Sequence, residues 1–155
     1  LPQVYRSDRR FPLSRSFDTK KGIKNFIEKV LGGLEKGTTI YTIDTPNEGN
    51  YSKIFSDDLS NIIFDLKKKK GIITKTLVPN GSFVGISRYK VSSQAIIIRE
   101  LPATVKFTGS LWLINDMLIN FSGNPPFLVM IKQESIVSGL KGLYDFLWSI
   151  SKEQR

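Results

Sequence analysis

The 155-residue sequence contains no cysteine and no histidine. Without cysteine there are no disulfides, thiolate nucleophiles, Cys-ligated zinc sites or iron–sulfur clusters, and nothing points to an oxidising compartment. Without histidine there is no Ser-His-Asp triad, no His-ligated metal and no imidazole general base. Carboxylate and lysine chemistry stay open, so catalysis is narrowed rather than abolished. Long apolar runs are missing too. No stretch approaches the roughly 18–20 unbroken apolar residues of a membrane helix, and no basic-then-apolar leader opens the chain. These absences set the expectation of a soluble cytoplasmic domain, with no metal or cofactor, that senses or binds rather than catalyses.

What is present is ordinary for a globular protein, 40% apolar and 24% charged, and the length suits one domain able to bury a core without staples. The chain opens on Leu1, which sets the expectation of a piece of a longer protein with a partner domain outside it. The formal charge of +9 is unevenly spread: residues 1–36 hold nine Lys or Arg against four acids, among them Arg6, Arg9, Arg10, Arg15, Lys20, Lys21 and Lys24. Such an excess can track nucleic-acid phosphate. With no nucleic-acid-binding motif beside it, a solvated basic face is the simpler reading.

Periodicity organises the rest. Residues 1–18, with Pro2, Pro12 and several Ser and Arg, read as a linker or edge segment, and residues 19–155 as a single α/β domain. Asp18 or Thr19 can cap a helix carrying Ile23, Phe26, Ile27, Val30, Leu31 and Leu34 on one face, with Gly37 at its stop. Thr38–Ile43 reads as a strand and residues 44–50 as a loop. A second helix carries Tyr51, Ile54, Phe55, Leu59, Ile62, Ile63 and Leu66 and ends in Lys67, Lys68, Lys69, Lys70 and Gly71. Four lysines at a helix C-terminus complement the macrodipole, so a solvated cap is the simpler reading than a phosphate site. Strands follow at Ile72–Val78 and Ala95–Glu100, with residues 82–91 ambiguous and Gly81–Gly85 a plain turn. A meander over about 105–114, 117–121 and 126–131 turns at Asn115-Asp116 and at Ser122–Pro125. A last helix over about 134–151 carries Ile136, Val137, Leu140, Leu143, Tyr144, Leu147 and Trp148. The order implies a mixed sheet with helices packed on its faces, the two strands flanking the second helix being parallel.

The string TKKGIKNFIEKVLGGLEKGTTIYTIDT (residues 19–45), followed by IIRELP, KFTGSLWLINDMLINFSGNPPFLVMIK and QESIVSGLKGLYDFLWSISK in the tail from Ile97 to Lys152, resembles the C-terminal effector domain of TrmB-like transcriptional regulators. Those are archaeal and bacterial proteins with an N-terminal winged helix-turn-helix and a phospholipase-D-like sensor domain. The matching features are the Gly22-Ile23 opening of the first helix, Arg99–Pro102, the Asn115-Asp116 hairpin and the ending Leu143–Trp148. Residues 6–18 are longer and more basic than the resemblance implies, and no winged helix is present. The resemblance implies a homodimer that senses a small-molecule effector and reaches DNA through a domain outside this stretch.

The resemblance also sharpens the question of catalysis. Phospholipase-D enzymes carry H-x-K-x4-D on the strand entering such a turn. With the acid at Asn115 the earlier positions are Thr108 and Ser110; with it at Asp116 they are Gly109 and Leu111. Neither register supplies the histidine nucleophile or the lysine, so the covalent phosphohistidine route is excluded. A magnesium site at Asp57, Asp58 and Asp65 is disfavoured because the three do not share one helix face, and no pattern surrounds Lys75 or Lys106 to make a Schiff-base lysine. Ligands in sheets of this kind bind near strand C-terminal ends. The candidate ligand residues are therefore Asp44, Arg99, Glu100 and Asp116, with Thr108 and Ser110 at the lost catalytic positions. Arg99 and Glu100 could equally form a structural ion pair. Leu143, Tyr144, Leu147 and Trp148 are the candidate dimer contact, and the alternative to a sensor is an inactive phospholipase-D-like module gripping nucleic acid through its basic N-terminal face.

Overall fold

The computed structural model describes residues 13–46, 53–54, 57–86 and 88–154. Its strands are β1 (Leu13–Phe17), β2 (Thr39–Ile43), β3 (Ile73–Val78), β4 (Ile96–Glu100), β5 (Ser110–Ile114), β6 (Met117–Gly123), β7 (Pro126–Lys132) and β8 (Lys152–Gln154). The helices are α1 (Lys20–Gly33), α2 (Asp57–Lys70), the short α3 (Arg88–Ser93) and α4 (Glu134–Ile150). The strands form one eight-stranded sheet in the order β1-β7-β6-β5-β2-β3-β4-β8. β2, β3 and β4 run parallel, and the remaining pairs are antiparallel. This is the mixed α/β sheet expected from the order of elements.

Local chemistry explains the joints. Thr19 has extended backbone and its hydroxyl accepts a hydrogen bond from Gly22 N at 3.1 Å, capping α1. From there Ile23, Ile27 and Leu31, four residues apart, point into the core. The β5–β6 hairpin closes between Ile114 and Met117, and Asn115 takes the left-handed conformation, φ 52°, that its short polar side chain tolerates.

The structure departs from the sequence reading at residues 105–109 and at the C-terminal edge, and it settles what the sequence leaves open at the N-terminal stretch and at residues 82–91. Residues 105–109 are not strand: Val105 N donates to the Pro102 carbonyl in a turn, and Gly109 sits at φ 85°. Residues 13–17 of the N-terminal stretch pair antiparallel with β7 at one sheet edge. The other edge is closed by β8, three polar residues with no strand pattern, held on β4. The ambiguous segment resolves into a 3-10 turn at Phe83–Gly85 and α3.

The sheet separates two cores. On one face α1 and α2 pack Ile23, Ile27, Leu31 and Ile63 against Ile40, Trp112, Ile114, Ile119 and Phe121. On the other, Val137, Leu140, Tyr144, Leu147 and Trp148 pack with Ile43, Leu77, Leu113 and Leu118. Tyr144 is 2% exposed. Its hydroxyl donates to the Lys75 carbonyl at 2.7 Å and its ring meets Tyr41 edge-on at 5.5 Å. Tyr144 is thus sealed inside its own domain and offers nothing to a dimer partner, while Leu147 and Trp148 are half-buried in the same core. Of the four expected dimer residues Leu143 points outward, 63% exposed.

Candidate functional site

Three neighbouring strands place polar side chains where an ordinary sheet would place aliphatic ones. Thr42 on β2, Thr74 and Thr76 on β3 and Ser110 on β5 are all buried, and all face the α1/α2 side. They line a cavity of about 630 Å³ between the sheet and α2, within the range of metabolite-sized sites. Its floor includes Trp112, whose ring meets Phe121 edge-on at 5.3 Å. Ser60, Asn61, Phe64 and Lys67 descend from α2, Tyr89 and Ser93 come from α3, and Asp44, Thr45 and Pro46 form the wall just past β2. Leu31, Ile40, Ile63, Ile86 and Ile96 supply apolar surface.

Some of the polar groups satisfy one another. Thr42 Oγ1 donates to Thr76 Oγ1 at 2.7 Å, and Thr45 Oγ1 donates to the Gly109 carbonyl at 2.9 Å. Others do not. Asp44 Oδ1, Thr74 Oγ1 and Trp112 Nε1 are sealed from solvent without a hydrogen-bond partner, a state that costs roughly 1–3 kcal/mol per group unless something fills it. Desolvation pushes the Asp44 carboxyl above the usual carboxylate range; the Thr42, Ser110 and Trp112 side chains and the Lys67 charge pull it partly back. Trp112 Nε1 lies near that carboxyl but outside hydrogen-bond geometry. Lys67 is lowered to about 8 by desolvation, with Asp44 opposing the shift. Among the described residues no contact ion pair joins the two, so they act on each other across the cavity.

The structure distributes the sequence candidates unevenly. Asp44 and Ser110 line the cavity. Thr108 is exposed on the approach to β5, and Asp116 is exposed at the β5–β6 turn, where its carbonyl accepts from Gln133 N at 3.2 Å. Arg99 and Glu100 are neighbours on β4 and therefore point to opposite faces, so they form no ion pair with each other. Arg99 Nη1 donates to the Trp148 carbonyl at 2.7 Å with its guanidinium 4.6 Å from that ring, closing the C-terminus of α4. Glu100 Oε1 accepts from Phe83 N at 2.9 Å and pins the 3-10 turn. Neither reaches the cavity lining.

The lysine run also divides. Lys67 faces the cavity, Lys68 sits 5.9 Å over the Phe64 ring, and Lys70 Nζ donates to the carbonyls of Gly32 and Leu34, the first at 2.6 Å, tying α2 to the end of α1. A uniform solvated cap therefore misdescribes it. Lys75 lies on the opposite face between Tyr41 and Trp148, 6.0 and 5.8 Å from their rings. The side chains of Asp57 and Asp58, the magnesium candidates beside Asp65, lie outside the described residues, as do Arg6, Arg9 and Arg10.

No protein-family model and no curated protein matches the sequence. Solved structures do match the fold. TrmBL2, an archaeal chromatin protein described as showing a novel mode of DNA binding, superposes with a TM-score of 0.63 at 16% identity, over 99% of this chain and 56% of that one. Nuc of Salmonella typhimurium, a phospholipase D family member, gives 0.62 at 11% identity over 94% and 99%. NucT of Helicobacter pylori gives 0.64 at 10% identity over 93% and 100%. The chain thus spans about half the length of TrmBL2 and nearly all of Nuc and NucT. Its eight-stranded mixed sheet has the phospholipase-D-like fold, shared with a TrmB-like protein.

Proposed function

We propose that this domain is the effector-sensing and dimerising part of a transcriptional regulator, with no catalytic role of its own. The observation that carries the reading is the cavity: a metabolite-sized space whose buried polar groups lack partners, bounded by Ser110, at the position where the resemblance would put a catalytic lysine. A small molecule satisfying those groups favours the arrangement of α2 and the β2 end that fits it. That bias, passed through a dimer, repositions a DNA-binding domain carried elsewhere in the protein. Thermal unfolding against sugars, phosphorylated sugars, nucleotides and amino acids tests it. A ligand at 100 times its dissociation constant adds roughly 2.7 kcal/mol, and Ser110→Leu, which fills the cavity wall, removes the gain. Silence across the panel counts against a sensor.

The dimer contact moves from the inner to the outer side of α4. Leu143 and Phe146 are 63% and 61% exposed, and with Ile136 and Ile150 they form an apolar stripe at intervals of seven, three and four residues, the spacing of a helix-pairing seam. Gly139 and Gly142 interrupt that surface, and a Cβ added at either would meet nothing within 4 Å. The domain's own packing therefore does not require them, although each costs about 1 kcal/mol relative to alanine in a helix. Close approach of the same helix from a second copy accounts for both features. Leu143→Glu with Phe146→Glu yields monomers by light scattering; an unchanged dimer removes the idea.

A second reading keeps one structural support. Arg15, Lys20 and Lys21 are exposed together at β1 and the start of α1. It predicts DNA binding that weakens steeply with salt, read by fluorescence anisotropy of a short duplex.

A further inference from the structure

We propose that the cavity takes a small zwitterion, an α-amino acid with an apolar side chain, holding its ammonium against Asp44 and its carboxylate against Lys67. The inference rests on the sensor reading and adds the ligand's chemical class.

The argument starts from charge. Among the described lining residues Asp44 is the acid and Lys67 the base, and they face one space without touching. A buried charge is tolerated when an opposite charge and hydrogen bonds meet it. A neutral ligand would leave both charges without a close counter-ion. A purely anionic ligand would meet Lys67 but set a second negative charge near Asp44, and a purely cationic one would do the reverse. A molecule carrying an ammonium and a carboxylate on one carbon completes both partnerships and adds no net charge to the cavity.

The unpartnered atoms fit the same orientation. Asp44 Oδ1 accepts only, as an ammonium requires. Trp112 Nε1 donates only and lies beside the Asp44 carboxyl, so it favours the charged form of the group that would meet the ammonium. Thr74 Oγ1, on a residue 4% exposed, can donate to a carboxylate oxygen or accept from an ammonium. The remaining walls carry no further charge; Leu31, Ile40, Ile63 and Phe64 give the larger, apolar part of them, beside the hydroxyls and amide of Ser60, Asn61 and Tyr89. The larger apolar part favours an apolar side chain over a charged one. Burial lowers Lys67 in spite of the Asp44 charge, and a carboxylate brought to its ammonium would offset that cost.

Isothermal titration calorimetry on the whole chain at pH 7 tests this with L-leucine, L-isoleucine, L-methionine, L-phenylalanine and L-tryptophan. At least one is expected to bind. Its N-acetyl derivative, which removes the ammonium, and its amide, which removes the carboxylate, should each bind at least tenfold more weakly. Asp44→Asn and Lys67→Met should abolish the heat while leaving the circular dichroism spectrum unchanged. If neither variant folds, the two blocked derivatives decide alone. Absence of heat with all five, or equal affinity for the blocked and free forms, overturns the assignment. Binding of glucose or glucose 6-phosphate in place of the amino acids, lost on Ser110→Leu, would overturn the zwitterion and leave the sensor standing. Silence from every compound, with no melting shift across the wider panel, would remove both.

Discussion

The two faces of one sheet are built on opposite principles. The face under α4 is closed, with Arg99 Nε its one buried unpartnered atom among the described residues: Tyr144 inserts between Tyr41 and Trp148, its hydroxyl finds the Lys75 carbonyl, and Arg99 Nη1 seals the helix end. The face under α1 and α2 is open at its centre, where Thr42, Thr74, Thr76 and Ser110 replace aliphatic side chains and three polar atoms lack partners. Tight packing with satisfied polar groups is how a fold gains stability, and departures from it concentrate where function needs them. The difference teaches which face to question: the tighter packing lies under α4, and the candidate site lies under α2.

Substitutions can break or sharpen that contrast. The largest effect belongs to the closed face. Tyr144→Ala should cost about 3–5 kcal/mol in urea unfolding, the range for truncating a buried aromatic, and a loss under 1 kcal/mol would mean that the α4 core is no tighter than the cavity. Lys67 gives a pH test. Its folded value of about 8 lies below the ordinary 10.5, so between them the unfolded chain binds more protons and stability rises with pH. Tyr144 acts oppositely above its ordinary 10.0, because burial raises it and the folded state keeps its proton. From pH 8 to 10 the wild type should therefore gain stability relative to Lys67→Met; parallel curves would show that Lys67 is solvated. Lys70→Met, which frees the carbonyls at the end of α1, should cost about 1 kcal/mol. The smallest change is expected from Thr74→Val. Removing an unpartnered buried hydroxyl while keeping the shape should leave thermal stability unchanged or slightly raised, and a clear loss would mean that the hydroxyl is satisfied in the folded chain.

Much of the frame was legible in the sequence. The four-residue spacing of Ile23, Ile27 and Leu31 gave α1, and the β-branched runs flanking α2 gave the parallel pair β2 and β3. Part of the cavity was legible as well: Asp44 follows from the end of a strand, and Ser110 from the position of a lost catalytic group. Lys67 was hidden among four lysines, although Ile63, one turn earlier, marks its side of the helix as inward. Trp112 lies two residues after Ser110 and so shares its face, a signal the alternation carries. The same alternation shows that Arg99 and Glu100 cannot serve one site. The roles of Thr42, Thr74 and Thr76 were not legible, because threonine suits a strand whether it faces a core or a cavity. Nor does a helix apolar on two sides, as α4 is, reveal which side its own sheet takes.

The measurement that tests the central claim most directly is the melting temperature of Asp44→Asn without ligand at pH 7. If the carboxylate is held against its own desolvation for a ligand's sake, the neutral isostere relieves that cost and Tm rises, each kcal/mol giving roughly 2–4 °C in a chain of this length. A fall in Tm would show that Asp44 holds the fold together, and would contradict the reading of this face as a binding site.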